Sequence, residues 1–373
     1  MNLKSSFIQH LMQKYPAFSA EKLDGYVSEN LLSPFQVPLK KSVLEDIKKQ
    51  IAGYWQLRKW SASHLASHYE KLGLFKPSNY AVCMSYDFHV AEDNRLELIE
   101  INTNASFLAL GLELYDLWKI KNPAANFGET ELVQMFRDEM KLVGGLADSV
   151  AITDEHPDQQ RLFIEFLVYQ SLFEKHGVKA HIVNIDAIEE MEKASIVYNR
   201  YTDFYLHEEK SLALKQAFNA GLVHLSPHPW EYFLSADKQR LIDWNKQTEV
   251  TKPSSLLPVY DLEFESPEKM WNERKQLFFK PKTSFGSKQA YRGGSMSKKV
   301  FDEVCGKGFI AQQISTPSEI DVVFNNENTK LKYDLRCYVY KNELQLIIAR
   351  LYQGQTTNLR TAGGGFACVT AVD

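Results

Sequence analysis

Three side chains near the front of the chain have the types and spacing of an oxygen-only metal site. The segment from Asp87 to Ser106 reads DFHVAEDNRLELIEINTNAS. It alternates like two short strands joined by the turn-prone Ala91-Glu92-Asp93-Asn94. On the second strand, Leu96 to Ile101 running into Asn102, side chains two apart share a face. Glu100 and Asn102 therefore point the same way, while Ile101 turns to the core. Asp87, on the first strand, approaches from across the hairpin. Two carboxylates and an amide oxygen suit Mg²⁺, which takes few protein ligands and completes its shell with water and phosphate. The same pattern also fits an ordinary strand end at which Asn starts a turn.

A second group has anion-binding chemistry. Phe278-Phe279-Lys280-Pro281 ends a strand and leads into Lys282-Thr283-Ser284-Phe285-Gly286-Ser287-Lys288. A strand-borne lysine before a small flexible loop suits a phosphate, because glycine lets backbone N–H groups approach the anion. The spacing is not that of a P-loop. A surface hairpin with solvated lysines fits equally well. Gln312 and Gln313 close the strand Phe309–Ile314, where amide and backbone groups could read an adenine edge. Asp334 and Arg336 share a face of an alternating strand, and Arg350 ends the return strand. Two arginines on one sheet can clamp a phosphoryl group, or simply form cross-strand ion pairs. Finally, Gln355 to Phe366 carries Asn358, Arg360 and three successive glycines, Gly363, Gly364 and Gly365. Such glycines cost backbone entropy and belong where the chain bends sharply or touches a ligand. A mobile loop near the C-terminus is the plainer alternative.

These groups need elements to hold them. The 373 residues suffice for two or three domains; 44% are hydrophobic and 24% charged, as in a soluble globular protein. A net charge of −4 gives no basic footprint for nucleic acid. The four cysteines are scattered without a C-x-x-C, which fits reduced thiols in a cytoplasm. No apolar run suggests a secretory signal or a membrane span. Residues 1–78 read as a helical N-terminal region, with Val43 to Leu57 apolar at helical spacing. His64 and His68, four apart, fit a solvated helix face better than a metal pair. After the hairpin, 107–147 is helical. Then Ser149–Asp154, a helix over Gln159–His176, Ala180–Val183, Ser195–Asn199 and Val223–Leu225 alternate as in a parallel, Rossmann-like layer over 148–246. A linker at Gln247–Pro258 precedes a strand-rich remainder.

Taken together the pieces resemble the ATP-grasp superfamily of carboxylate–amine ligases. Those proteins order a strand lysine with a glycine flap, an adenine hinge, a D-x-R strand, an R…N…GG loop and a closing D-x(12)-E-x-N. Here the first four appear as Lys280, Gln312-Gln313, Asp334-Leu335-Arg336 and Arg350…Asn358…Gly363-Gly364-Gly365. The fifth, Asp87…Glu100-Ile101-Asn102, stands at the front. That order is similar to the circularly permuted arrangement of eukaryotic-type glutathione synthetases and of uncharacterised bacterial permuted ATP-grasp proteins. One position departs from the glutathione synthetases: their metal-binding glutamate four residues after the strand lysine is Ser284 here, and Asp87 is the candidate replacement.

The resemblance implies an α/β (α+β) chain: a permuted ATP-grasp fold split between 79–147 and 247–373, with the Rossmann-like substrate domain between. It implies ATP and Mg²⁺, and an amide or peptide bond formed through an acyl phosphate. Asp87, Glu100 and Asn102 are the implied metal ligands. Lys238, Lys280, Lys282, Ser284, Gly286, Gln312 and Gln313 are the implied nucleotide contacts, with Arg336, Arg350 and Arg360 catalytic. Ser106, Arg200, Asn358, Gly364 and Gly365 are the implied substrate contacts. The expected partners are a small carboxylate and an amine, a short peptide among them; a homodimer is compatible. A nucleotide-binding module without ligase activity, or a small-molecule kinase, is the alternative. Permutation also requires the strand near Asp87 to lie close to the tail after Gly365.

Overall fold

A computed structural model describes residues 3–145, 148–283 and 289–373. Strands are numbered in chain order. The largest sheet has seven strands: β1 (Val37–Lys40), β2 (Met84–Val90), β3 (Leu96–Asn102), β12 (Glu319–Phe324), β13 (Glu327–Tyr340), β14 (Glu343–Tyr352) and β15 (Gly365–Val372). Its order is β1-β15-β14-β13-β2-β3, with β12 extending β13. All its pairings are antiparallel except β1 with β15.

The expected hairpin is β2–β3, turned through Asn94 at φ 66°. It carries a feature that alternation does not reveal. Asp87 pairs with Glu100 but Phe88 pairs with Leu98, so Ile99 is an extra residue. Such a bulge re-aims side chains. It lets Leu96, Leu98 and Ile101 all enter the core while Glu100 and Asn102 face outward.

The helix Lys41–His64 covers one sheet face with Val43, Leu44, Ile47, Ile51, Tyr54 and Leu57, a single stripe at helical spacing. On the other face lie the helices Leu3–Lys14, Leu108–Trp118, Glu129–Leu142 and Phe163–Lys175. The N-terminal region is not purely helical. Val37–Lys40 is a strand that joins the large sheet, its proline at the edge where a missing N–H is tolerated.

The middle of the chain forms an all-parallel sheet ordered β5 (Lys179–Asn184), β4 (Ser149–Asp154), β6 (Ile196–Asn199), β7 (Leu225–Ser226). The helix after β4 starts at Phe163, because a 3₁₀ turn at Pro157–Gln159 precedes it. A third sheet, antiparallel, is ordered β10 (Tyr291–Arg292), β9 (Leu277–Pro281), β11 (Phe309–Gln313), β8 (Val259–Asp261). The molecule is thus a mixed α/β fold with three sheets among the described residues. β2 and the tail strand β15 share one sheet with β13 and β14 between them. Phe107, five residues after β3, stacks on Phe366 of β15, ring centroids 3.7 Å apart. No helix among the described residues is long and apolar enough to cross a membrane.

Candidate functional site

A cavity of about 730 Å³ opens where the three sheets meet. Glu100 and Asn102 enter it from β3, Lys280 from β9, and Arg336 and Arg350 from β13 and β14. Asp154 and Arg200 enter from the C-terminal ends of parallel strands, where open α/β sheets place ligands.

Lys280 is fixed by two neutral acceptors: its Nζ donates to the Ile99 carbonyl (2.9 Å) and to Gln312 Oε1 (2.8 Å). Burial, only partly offset by Glu100, pushes its amine down to about 8. Gln312 in turn donates through Nε2 to the Leu98 carbonyl at 3.0 Å. This amide is 2% exposed and spent on clamping β11 to β3, so its side chain does not read a base. Gln313 is exposed at the cavity edge, its N–H bonded to the Pro258 carbonyl. Lys238 follows a π-helical turn, Tyr232–Ala236, and is buried against the cavity. Burial lowers its amine against the pull of Glu100 and Asp237.

Asp87 is the main correction. It is fully buried and does not line the cavity. Its Oδ1 accepts from Ser85 Oγ (2.8 Å) and Arg336 Nε (3.1 Å). Its Oδ2 accepts from the NH2 groups of Arg336 (2.8 Å) and Arg350 (2.8 Å), and from Asn102 Nδ2 (3.3 Å). Burial would raise its carboxyl, but the two guanidiniums overcome this and hold it below the ordinary range. A carboxylate with five donors is an arginine anchor, not an open metal ligand. Glu100 and Asn102 remain as the cavity-facing pair, with Asn102 Nδ2 also 3.3 Å from Glu100 Oε1.

Four further expectations part from the geometry. Lys282 pairs with Asp261 (3.0 Å) and Glu263 (3.6 Å), away from the cavity. Arg360 is exposed and outside the cavity lining. Gly364 and Gly365 are required by backbone packing: a Cβ on Gly365 would sit 2.6 Å from the Asn30 carbonyl, and one on Gly364 would sit 2.6 Å from that of Leu351. Neither glycine lines the cavity. Asn358 does, though its amide is tied to Gln353 and Thr356 carbonyls. Ser284 and Gly286 lie outside the described residues.

Arg200 is brought to Ser106 as expected, NH2 to Oγ at 2.8 Å. Its NH1 donates to the Asn104 carbonyl at 2.5 Å, while the buried Nε has no partner. The turn that presents Ser106 is held from behind. Phe107 has φ 83°, and Glu165 accepts from the Phe107 and Ala109 N–H groups at 2.8 and 3.3 Å. A remote carboxylate thus caps the helix Leu108–Trp118.

Two site residues escaped the sequence reading. Asp154 is half-buried in the cavity wall and its carboxyl is raised by burial. A strand-ending aspartate carries no signal of its own. His89 donates or accepts at Ser315 Oγ (2.8 Å), and burial pushes its imidazole down to about 4, so it is neutral. Only its position two residues after Asp87 pointed to it.

Arg161, Arg200, Lys238, Lys280, Arg292, Lys332, Arg336 and Arg350 line the cavity against Glu100, Asp154 and Glu319. Asp87 and Asp334 behind the wall balance Arg336 and Arg350. Asp237 and Glu165, also behind the wall, face Lys238 and Arg200, which leaves four lining cations to three lining carboxylates, a slight surplus of positive charge that favours an anion.

The fold is shared along almost the whole chain with a glutathione synthetase-like effector, GSS30, from Globodera pallida, solved in its apo form. The TM-score is 0.57 at 11% identity, over 99% of this chain and 98% of that one. A putative gamma-glutamylcysteine synthetase from Methylobacillus flagellatus follows at TM-score 0.45 and 10% identity, over 87% and 85%. The ATP-grasp ligase PsnB with its minimal precursor aligns at TM-score 0.27 and 10% identity, over 60% and 89%. No protein-family model and no curated protein matches the sequence.

Proposed function

We propose that the chain is an ATP- and Mg²⁺-dependent ligase that joins a small carboxylate to an amine through an acyl phosphate. One observation carries the reading: the buried Lys238, the half-buried Lys280, two anchored arginines and the Glu100–Asn102 pair share one cavity with Arg200. The residues fit the nucleotide. Lys280 is held below its ordinary pKa by burial, and an incoming polyphosphate would restore its charge. They fit a divalent ion less fully, since Glu100 and Asn102 would supply only two protein ligands and phosphate oxygens and water the rest. Such an ion would neutralise charge on the phosphates.

The chain's own groups divide the work. Lys238 and Lys280 bind and orient the polyphosphate. Arg336 and Arg350, oriented by Asp87, keep NH1 groups for the transferring phosphoryl and the acyl phosphate. The cavity-lining Arg200 and the Ser106 hydroxyl bonded to its NH2 receive a substrate carboxylate, and Asp154 a substrate ammonium. An acyl phosphate survives only where water is excluded, so the cavity would have to shut water out during the reaction. We further infer that the chain is a circular permutation, because the front hairpin β2–β3 completes the sheet of β13 and β14. The proposed substrate region is 148–246, and the proposed setting a cytoplasm.

The test is ADP release with ATP, Mg²⁺ and pooled carboxylates and amines. Release only when both are supplied supports the ligase. A stable phosphorylated product from one substrate indicates a kinase. ATP binding without turnover indicates a binding module, a reading favoured by the saturation of Asp87, which leaves the metal set thin.

A further inference from the structure

The loop from Tyr352 to Gly365 is fastened at its base, holds Lys332 Nζ at the Gly354 carbonyl (3.0 Å), and reaches the Asp334–Arg350 pair through Thr357 at its tip. At the base, Ser33 Oγ donates to the Gly363 carbonyl (2.8 Å) and the Phe366 N–H to the Leu31 carbonyl (2.9 Å). Within the loop, the Gln353 N–H donates to Thr361 Oγ1 at 3.0 Å. The tip, Gln355 to Leu359, lies over the cavity. From that tip, Thr357 Oγ1 donates to Asp334 Oδ2 at 2.5 Å. The other oxygen of Asp334 accepts from Arg350 Nε at 2.6 Å, and Arg350 NH2 reaches Asp87 at 2.8 Å. Asp334 is fully buried and pairs with Arg350 across β13 and β14.

We propose that Thr357 is a latch: a positioning residue whose hydroxyl couples closure of the loop over the cavity to the placement of Arg350. A buried carboxylate requires partners for both oxygens. With the loop down, Asp334 has Thr357 on one oxygen and the guanidinium on the other. With the loop lifted, Oδ2 loses its donor and takes up water, and the carboxylate is no longer held from two sides. Loop position and guanidinium position are then one two-state element, so whatever favours one favours the other to the same extent. An occupant touching the tip would therefore also set Arg350. The proposal rests on the ligase reading only for what the loop covers.

Arg360 supplies a reporter independent of turnover. It is an exposed arginine in the loop, so trypsin cleavage after it reads loop opening, and the 361–373 fragment identifies the cut by mass. Losing a hydrogen bond to a charged group should raise opening about tenfold. In the full-length protein, Thr357→Val is expected to be cut after Arg360 about tenfold faster than wild type, with Thr357→Ser restoring the wild-type rate. Equal rates for wild type and Thr357→Val overturn the latch; so does a Thr357→Ser protein cut as fast as Thr357→Val. Added ADP and Mg²⁺ are expected to slow the cut in wild type more than in Thr357→Val. If they slow it in no protein while the tenfold difference stands, the latch is supported and the nucleotide reading fails.

Discussion

At Lys280, binding and stability oppose one another. Unfolded, its amine would hold a proton to about pH 10.5; folded, it releases it near 8. Between these values the unfolded chain binds more protons, so stability rises with pH there, and below 8 the penalty is complete. Its size is on the order of 1–3 kcal/mol, towards the low end because part of the side chain opens onto the cavity. Lys280→Met should therefore gain on the wild type at pH 7 and lose that relative advantage by pH 10, measured by urea unfolding at both. Equal differences at the two pH values would remove the buried charge from the account. The same titration predicts that ADP affinity falls as pH rises through about 8, visible as proton uptake in calorimetry at pH 8.5. Asp87 behaves oppositely. Its two guanidinium partners hold its carboxyl below the ordinary 3.8, so its contribution is present above that pH and is lost as pH falls through the folded value. Asp87→Ala leaves the buried Arg336 without its counter-charge, while Arg350 keeps Asp334, and should cost about 3 kcal/mol. As an anchor and not a ligand, Asp87→Asn should keep Mn²⁺ bound with ADP, read by electron paramagnetic resonance, whereas Glu100→Gln should weaken it. Loss in both variants would return Asp87 to the metal shell.

At the scale of elements, the glycine-rich segment shows what a residue pattern reveals and what it hides. Three consecutive glycines signal a close approach, but not to what. The partner is the chain's own N-terminal segment. Gly365 has φ 106°, and a Cβ there would meet the Asn30 and Leu31 carbonyls at 2.6 and 2.7 Å. Gly354 has φ 101° with nothing within 4 Å. Both substitutions carry backbone strain, but only one displaces a neighbouring backbone. Gly365→Ala is therefore expected to cost roughly 2–4 kcal/mol and Gly354→Ala about 1 kcal/mol by denaturant midpoint. Comparable costs would mean that β15 can move away from residues 30–31. The same limit governs the rest of the site. The hairpin β2–β3 was legible because alternation is local. Its bulge was not, since an extra Ile99 shows only against the partner strand. Lys280 and Glu100 were legible from residue type at a strand end. The use of Gln312 was hidden because its acceptor, Leu98, lies 214 positions away. Strand β1 was missed because four residues containing a proline carry no period long enough to read.

At the scale of the whole molecule, the anion cavity and the core are linked through ligand-dependent stability. Elements from the front, middle and end of the sequence all contribute walls to the cavity, so an anion that binds there favours the state in which all of them are assembled. A ligand at about 1,000 times its Kd adds roughly 4 kcal/mol to the folded state. Saturating ADP with Mg²⁺ should therefore raise the thermal unfolding midpoint. Added salt should reduce the gain, because the surplus of cavity cations acts through screened charge. The three lysines of this region then divide by geometry. Lys238 and Lys280 face the cavity, while Lys282 is turned to Asp261. Lys238→Met and Lys280→Met should each cut the ADP-induced shift to a small fraction. Lys282→Met should leave the shift intact while lowering the baseline midpoint, because it breaks a half-buried ion pair between β8 and the residue that follows β9. A shift lost equally in all three would mean that Lys282 swings into the cavity on binding, and that the small antiparallel sheet rearranges around the nucleotide.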